Sequence, residues 1–122
     1  MDNCIFCKIA NGEIPSNTVY EDEVLRVFMD LNPKNNGHML VVPKKHITDF
    51  TELDNETAMH INETIKKLKG LIEEKLNPAG IRFGNNYGIY QEVKHYHLHI
   101  IPGYEPEQPI VDVALTFDKL TK

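Results

Sequence analysis

Apolar and polar residues alternate over several short stretches of this chain, which predicts a protein built largely from β-strands. Residues 18–21 and 24–30 are rich in β-forming residues and are separated by a short acidic turn, so we expect them to pair as a hairpin. Residues 38–42 form a nearly continuous apolar run that Pro43 ends. Such a run is typical of a central strand covered on both faces.

One long stretch instead carries apolar residues three and four positions apart, which predicts an amphipathic helix. Asp54 is a suitable N-cap, and the apolar positions are Ala58, Ile61, Ile65, Leu68, Ile72 and Leu76. Residues 77–80 contain Pro78 and Gly80 and are expected to end this helix before a strand over 81–85. Near the start of the chain, residues 5–10 are predicted to form a short helical turn.

The most distinctive stretch is 95–101, in which three histidines alternate with apolar residues. In a β-strand, His95, His97 and His99 would share one face, roughly 6.6 Å apart along the strand. The other face would carry Tyr96, Leu98 and Ile100 toward the core. After this strand, residues 102–109 contain three prolines and are expected to run extended as an arm.

About five strands, one long helix and one short helix indicate an α+β fold with a mostly antiparallel sheet. We expect a single domain over residues 1–122, with a motif-bearing core (1–102) and a C-terminal arm (103–122). Because the edges of such a sheet need cover, we expect the sheet to extend across a homodimer.

Composition and charge exclude several classes of function. The 122 residues carry a formal net charge of -5, which disfavours binding to nucleic acid or to an anionic membrane surface. No run approaches the length of a membrane-spanning segment, and residues 1–4 lack the basic and apolar regions of a secretory signal. The cytoplasm is therefore the expected compartment, and any phosphate site must be built from local groups.

Two cysteines and several histidines supply the candidate chemistry. Cys4 and Cys7 are spaced for a metal site or a redox pair, although a disulfide is conceivable. In one interpretation, strand histidines hold a catalytic zinc with an open position for water. In the other, the middle histidine is itself a nucleophile. Cys4, Cys7, His46 and one strand histidine would complete a closed Cys₂His₂ shell, which would leave the remaining strand histidines free to act.

Four motifs in this order resemble the histidine-triad (HIT) family, and its Hint-type and bacterial branch most closely. They are the triad at 95–101, the segment 37–46 (Gly-His-Met-Leu-Val-Val-Pro-Lys-Lys-His), the opening Cys-Ile-Phe-Cys-Lys-Ile at 4–9, and Gln91 four residues before the triad. The resemblance implies a HIT-like fold and a nucleotidyl hydrolase or transferase. Such an enzyme cleaves at the α-phosphate of purine nucleoside phosphoramidates or related nucleotide conjugates.

The resemblance also implies roles for individual residues. His97 would attack phosphorus and form a nucleotidyl-histidine, which water then resolves. His99 and His38 would lie near the phosphate, and Gln91 would bind the phosphate or the leaving group. The resemblance assigns nucleotide binding to Asp30, Phe28, Leu31 and Asn85, with Asn86 as the alternative to Asn85, and it assigns one structural zinc ion to Cys4, Cys7, His46 and His95.

The chain departs from the family pattern at three places. Tyr90 replaces the glycine expected before Gln91, Glu92 replaces a hydroxyl residue, and Gly103 stands where an arginine is common. Three alternatives therefore remain. They are a nucleotide-binding or scaffold protein with vestigial catalysis, a dinucleoside polyphosphate hydrolase, and a catalytic-zinc hydrolase. His60 lies outside the apolar stripe of the long helix and is expected to be solvated.

Overall fold

The computed structural model describes residues 3 to 122, in which five strands form one antiparallel sheet. Its spatial order is β1-β2-β3-β5-β4, and the strands are β1 (Thr18–Glu21), β2 (Leu25–Met29), β3 (Met39–Pro43), β4 (Gly80–Gly84) and β5 (Leu98–Gly103). The predicted α+β class, the hairpin and the central position of β3 are confirmed. Residues 1 and 2, included in the expected domain, lie outside the described residues.

Three helices accompany the sheet: α1 (Ile5–Ala10), α2 (Asn55–Leu76) and α3 (Val113–Thr121). The first two were predicted. Asp54 caps α2, because its carboxylate accepts the Thr57 N–H at 2.7 Å. Asn77 ends α2 in the left-handed conformation at φ +49°. Within residues 3 to 122, no helix has the length and apolar content that crossing a membrane requires.

The sheet is covered on both faces, which explains the continuous apolar run of β3. The larger core contains Val27 and Val41 from the central strands and Ile61, Leu68 and Ile72 from α2. The smaller core lies on the opposite face, where Phe28, Leu40 and Val42 pack against Phe6 and Ile9 of α1. The helix α1 therefore sits alone over the face of the sheet on which the site residues gather.

The histidine stretch differs from its prediction, because β5 begins only at Leu98. His95 and His97 precede the strand, and the Tyr96 N–H is donated to the Ile47 carbonyl at 2.6 Å instead of to a neighbouring strand. Tyr96, Leu98 and Ile100 are nevertheless buried in the larger core, as the alternation predicted. Because His95 and His97 lie outside the strand, their side chains do not have to share one face of the sheet. Each ring can therefore turn toward a different partner.

The C-terminal region also differs, because α3 was not predicted. Asp112 caps this helix by accepting the Ala114 N–H at 2.9 Å, and Leu120 is buried in the larger core. Phe117 packs against the same core. The prolines at 102–109 favoured an extended arm, and that prediction was applied to the whole C-terminal region. The helix lies after these prolines and was therefore missed.

Candidate functional site

A cavity of about 570 Å³ opens between α1, the end of β2 and the histidine stretch. Its apolar walls include residues of α1 and β2 and residues 14 and 15, and its polar groups include Asp30, Lys34, His38, Asn86, Glu92, His97 and His99. A volume of this order fits a small organic ligand the size of a nucleotide. The cavity thus brings together most of the residues that the resemblance assigned to chemistry.

His97 is held in one tautomer by its own backbone neighbourhood. Its Nδ1 lies 2.7 Å from the His95 carbonyl oxygen, which can only accept a hydrogen bond. In the neutral ring Nδ1 therefore carries the proton and Nε2 carries the lone pair. The ring is 6% exposed and lines the cavity, so the orientation of its Nε2 lone pair is fixed by the fold.

His38 is held in the opposite tautomer. The Lys34 backbone N–H is donated to His38 Nδ1 at 3.0 Å, so in the neutral ring the proton lies on Nε2. His38 Nε2 is 2.9 Å from His99 Nδ1, which must then accept. The neutral His99 ring consequently carries its own proton on Nε2. Lys34, His38 and His99 form a directed chain of hydrogen bonds that ends at a donor on the cavity wall.

Burial keeps this pair of imidazoles neutral. Desolvation lowers the pKa of His99 to about 4, and the nearby His97 and His38 rings act in the same direction. Desolvation also lowers the pKa of His38, against the opposing attraction of the Asp30 carboxylate. Near neutral pH both rings are therefore uncharged, and they interact with a ligand as hydrogen-bonding groups.

The wall that would face a sugar and base carries Asp30, Phe28 and Leu31, all of which line the cavity. One Asp30 oxygen accepts the Asn32 N–H at 2.8 Å, and the other lies 3.4 Å from His38 Nε2. Phe28 is buried, whereas Leu31 is 80% exposed. Leu31 is thus an uncovered apolar side chain at the rim of the cavity.

Two predicted residues are not brought to the cavity. The Gln91 side-chain amide donates to the Thr48 carbonyl at 2.7 Å and to the Val93 carbonyl at 3.0 Å, so both of its N–H groups are engaged in anchoring the loop. Gln91 is buried and is absent from the cavity lining, as is the exposed Asn85. Asn86, the alternative to Asn85, does line the cavity.

The four predicted metal ligands gather behind the site, at the N-terminus of α1. One ligand atom from each of Cys4, Cys7, His46 and His95 lies within 4.8 Å of the others. His95 Nδ1 is 3.4 Å from both sulfur atoms, and His46 Nδ1 is 3.1 Å from Cys7 Sγ. Residues separated by 91 positions are thus assembled into one S₂N₂ cluster.

The chemistry of this cluster fits zinc. The His95 Nε2–H is donated to the Pro43 carbonyl at 2.8 Å, which leaves the Nδ1 lone pair directed at the cysteines. Two thiolates and two imidazoles form a closed tetrahedral set that is typical of structural zinc. Burial, followed by the hydrogen bond and charge of Cys4, raises the pKa of the Cys7 thiol to about 11, so a bound cation would have to displace its proton.

Phe6 and Lys34 belong to the site but were not among the predicted site residues. The Phe6 ring packs edge-on against His97 with ring centroids 4.9 Å apart, and it also contacts the His95 ring at 6.2 Å. Its apolar side chain in the opening motif was only a weak signal, because Ile5 also lies between the two cysteines and is 49% exposed. Lys34 was not predictable, since its role depends on a backbone contact within an irregular loop.

His60 is only partly solvated, because its side chain is 39% exposed and its ring contacts a carboxylate. Its Nε2 lies 2.7 Å from Asp22 Oδ2, and the same carboxylate accepts the Tyr20 hydroxyl at 2.7 Å. Burial acts to raise the pKa of Asp22, but hydrogen bonds from Tyr20, His60 and two backbone N–H groups outweigh it and hold that pKa well below its usual range. His60 thus ties α2 to the β1-β2 hairpin, far from the cavity lining.

Comparisons with known proteins identify related sequences. The model of the HIT domain matches residues 11–106. An uncharacterised HIT-like protein of Methanocaldococcus jannaschii is 47% identical over 110 residues, which cover 88% of this chain and 84% of that protein. The adenosine 5'-monophosphoramidase hnt1 of Schizosaccharomyces pombe is 36% identical over 102 residues, covering 82% of this chain and 74% of that protein.

Solved structures share the fold over nearly the full chain. A Hit-like protein from Bartonella henselae superposes with a TM-score of 0.88 at 32% identity, covering 99% of this chain and 96% of that chain. A zinc-bound histidine triad family protein from Mycobacterium smegmatis also gives 0.88, at 29% identity, covering 98% and 91% of the two chains. The similarity therefore extends beyond the motifs to the arrangement of the sheet and helices.

Proposed function

The chain belongs to the HIT family, and from that premise we propose that it is a nucleotidyl hydrolase that acts at the α-phosphate of purine nucleoside phosphoramidates or related conjugates. The observation that carries the proposal is the hydrogen bond from His97 Nδ1 to the His95 carbonyl, which leaves Nε2 as a lone-pair donor at the cavity. A neutral imidazole needs no deprotonation before it attacks. His97 is accordingly the proposed nucleophile.

In the proposed reaction, His97 Nε2 forms a bond to phosphorus while the bond between phosphorus and the leaving nitrogen breaks. The leaving nitrogen takes up one proton from solvent as it departs as the amine, and the nucleotidyl group stays on His97. Water then attacks the same phosphorus and gives one proton back to solvent, which releases a nucleoside monophosphate and restores the neutral ring. His99 Nε2–H, fixed by His38, is the donor for a phosphate oxygen or for the leaving group.

The nucleotide is proposed to lie along the wall formed by Asp30, Phe28 and Leu31. The Asp30 carboxylate would accept hydrogen bonds from the ribose hydroxyls, and the exposed Leu31 would be covered by the base. Asn86 takes the place of Asn85 as the proposed contact to sugar or leaving group, because Asn86 lines the cavity. The 36% identity to the adenosine 5'-monophosphoramidase hnt1 of Schizosaccharomyces pombe supports an adenosine nucleotide as the ligand.

Zinc, held by Cys4, Cys7, His46 and His95, is the proposed cofactor, and its role would be structural. Four protein ligands leave no position for water, so the ion would stabilise α1 against the histidine stretch and supply no nucleophile. This arrangement favours the closed shell over the catalytic-zinc alternative. Because the cysteines must stay reduced to bind metal, we propose the cytoplasm as the compartment.

A homodimer is proposed through the free edge of β4. In the described chain this strand pairs with β5 only, and its Phe83 side chain is 43% exposed. An exposed edge with apolar side chains invites pairing with a second copy, which would extend the sheet. Sedimentation of wild type and Phe83→Glu tests this proposal, with Leu115→Glu on α3 as the control. A monomeric wild type would contradict it.

The activity is tested with an adenosine 5'-phosphoramidate as substrate. We expect His97→Ala to lose at least about 10³-fold in kcat and to show no adenylyl adduct in intact-mass spectra, because the nucleophile is removed. His60→Ala is the matched control, since it removes an imidazole outside the cavity and should retain the wild-type rate. Equal rates for wild type and His97→Ala would remove His97 from the mechanism.

One observation favours a second candidate, a nucleotide-binding protein with weak turnover. Both N–H groups of Gln91 are engaged by the Thr48 and Val93 carbonyls, so the donor that the resemblance assigned to the phosphate is occupied elsewhere. Calorimetric titration with adenosine monophosphate, combined with the hydrolysis assay, separates the two. Tight binding without turnover over phosphoramidate and dinucleoside polyphosphate substrates would support the second candidate.

A further inference from the structure

The segment after β5 returns across the loop between β2 and β3, where the Asn36 side chain binds it. Asn36 Nδ2 donates to the Pro109 carbonyl at 3.0 Å, and Asn36 Oδ1 accepts the Val111 N–H at 2.9 Å. The Tyr104 hydroxyl donates to the Asn36 backbone carbonyl at 2.7 Å. The side-chain amide thus pairs with the C-terminal segment as a backbone peptide group would, through one donor and one acceptor.

The same loop also fixes which ring nitrogen of His38 carries the proton, and through His38 it fixes the proton of His99. The Lys34 N–H that fixes the His38 tautomer lies two residues before Asn36, and the His38 N–H returns to the Asn35 carbonyl at 3.2 Å. Movement of this loop by a fraction of an ångström would lengthen the contact between Lys34 and His38. The proton would then no longer be restricted to His38 Nε2, since either ring nitrogen could carry it.

Packing around Gly37 couples the two sides of the loop. Gly37 adopts φ +92°, and a side chain there would come within 2.6 Å of Leu76 and 3.1 Å of Pro102. Asn35 Nδ2 also donates to the Pro102 carbonyl at 2.9 Å. The loop is therefore pressed against the start of the C-terminal segment, with little room to relax independently.

We propose that Asn36 is a positioning residue: by binding the C-terminal segment, it holds the Lys34 amide against His38 Nδ1 and so keeps a proton on His38 Nε2 for His99. The catalytic consequence rests on the proposed function, whereas the effect on the tautomer does not. The helix α3 is anchored separately, through Leu120 and Phe117 in the larger core, so removal of the Asn36 side chain breaks the contacts between the loop and residues 108–111 without detaching that helix.

Asparagine is required by the pattern of its partners. Pro109 has no N–H and offers only a carbonyl, while Val111 offers an N–H. Asn36→Asp keeps the shape and the acceptor but removes the donor and places a carboxylate beside the Pro109 carbonyl. Asn36→Ala removes all three side-chain hydrogen bonds, including the one to Gln108 Oε1 at 3.3 Å. Together the two variants separate the hydrogen-bond pattern from the volume of the side chain.

The experiment compares the full-length wild type, Asn36→Asp, Asn36→Ala and Glu107→Ala, each labelled with ¹⁵N at its histidines. Imidazole ¹⁵N shifts report which ring nitrogen of His38 carries the proton. We expect Nε2–H in wild type and in the control Glu107→Ala, which alters an exposed residue of the same segment. Both Asn36 variants should show averaged shifts, and their kcat for the phosphoramidate should fall about tenfold while KM stays within about twofold.

Thermal unfolding of each variant confirms that the fold is intact. The proposal is overturned if His38 keeps the Nε2–H state in both Asn36 variants, and also if the tautomer changes while kcat does not. If the wild type hydrolyses no nucleotide conjugate, the proposed function fails instead. In that case the ¹⁵N comparison still decides whether Asn36 controls the state of His38.

Discussion

Two clusters of candidate ligand side chains lie in this fold, and the hydrogen bonds around them give them different chemistry. One contains Cys4, Cys7, His46 and His95, and the other contains Asp30, His38 and His99. In both, ligand-type atoms lie within 4.8 Å of one another. By distance and residue type alone, each would be a candidate metal site.

The backbone partner of one histidine in each cluster makes the difference. The Pro43 carbonyl accepts the His95 Nε2–H, so a lone pair points into the first cluster. The Lys34 N–H is donated to His38 Nδ1, so an N–H points into the second cluster. A cation needs lone pairs, whereas a bound phosphate needs donors. Proximity of histidines therefore does not define a metal site until the tautomers are known.

The largest expected effect is on metal content. Wild type, purified without added metal, should contain one zinc ion per chain by elemental analysis, and Cys7→Ser should contain none, because a three-ligand remnant of a closed shell binds zinc far more weakly. Asp30→Asn should leave the zinc content at one. Two zinc ions in wild type, falling to one in Asp30→Asn, would show that the second cluster also binds metal and would contradict the distinction between the clusters. The absence of zinc from reduced, folded wild type would contradict the metal assignment.

A large effect is also expected beside the first cluster, where Phe6 packs against His95. Phe6→Ala removes a buried ring that packs against His95, His97 and Phe28, and it should destabilise the protein by about 3 kcal/mol. Phe6→Leu keeps most of the volume and should cost about 1 kcal/mol. Denaturant unfolding of zinc-loaded protein measures both. Similar stability of Phe6→Ala and wild type would show that the packing of this ring contributes little.

An intermediate effect is expected for substitutions in the second cluster, and it is measured as a change in kcat. His38→Ala should lower kcat by about 10²-fold, because His99 loses the partner that fixes its own proton on Nε2. His38→Gln supplies an amide N–H near the same place and should recover part of that loss. A rate for His38→Gln below that of His38→Ala would argue against the donor role.

The smallest effect on stability is expected at the contact between His60 and Asp22. The partner of this histidine is a carboxylate instead of a backbone group. The folded-state pKa of Asp22 is lowered, so its stabilisation is present above the ordinary aspartate pKa and is lost as the pH falls below it. Because the pair is partly exposed, Asp22→Asn should cost only about 1 kcal/mol at neutral pH. The difference from wild type should shrink toward about pH 3 in denaturant unfolding.

If the difference between Asp22→Asn and wild type grows as the pH falls, the sign of this linkage is wrong. His60→Ala serves as the companion variant, since it removes one of the hydrogen bonds to the carboxylate and leaves those from Tyr20 and the backbone. Its cost should be smaller than that of Asp22→Asn. Together the two variants measure a contact between a histidine and a carboxylate. That contact contrasts with His38 and His95, whose tautomers are fixed by backbone groups.

Local sequence determined the elements whose signals lie within a few residues. The helix α2 follows from the Asp54 cap and a stripe of fixed period, and α1 begins at the cysteine pair and ends near Gly12. The burial of Tyr96, Leu98 and Ile100 followed from alternation alone. The identities of the metal cluster residues came from the motif, and the structure brings all four together.

Only the tertiary structure decided what each histidine can do. The Pro43 carbonyl lies 52 residues from His95 in sequence, and the Lys34 amide reaches His38 through an irregular loop held by a segment some 70 residues away. Gln91 and His60 differed from expectation for the same reason, because their partners come from distant parts of the chain. A sequence specifies where imidazoles occur, but the proton on each ring is set by groups that only folding brings within hydrogen-bond distance.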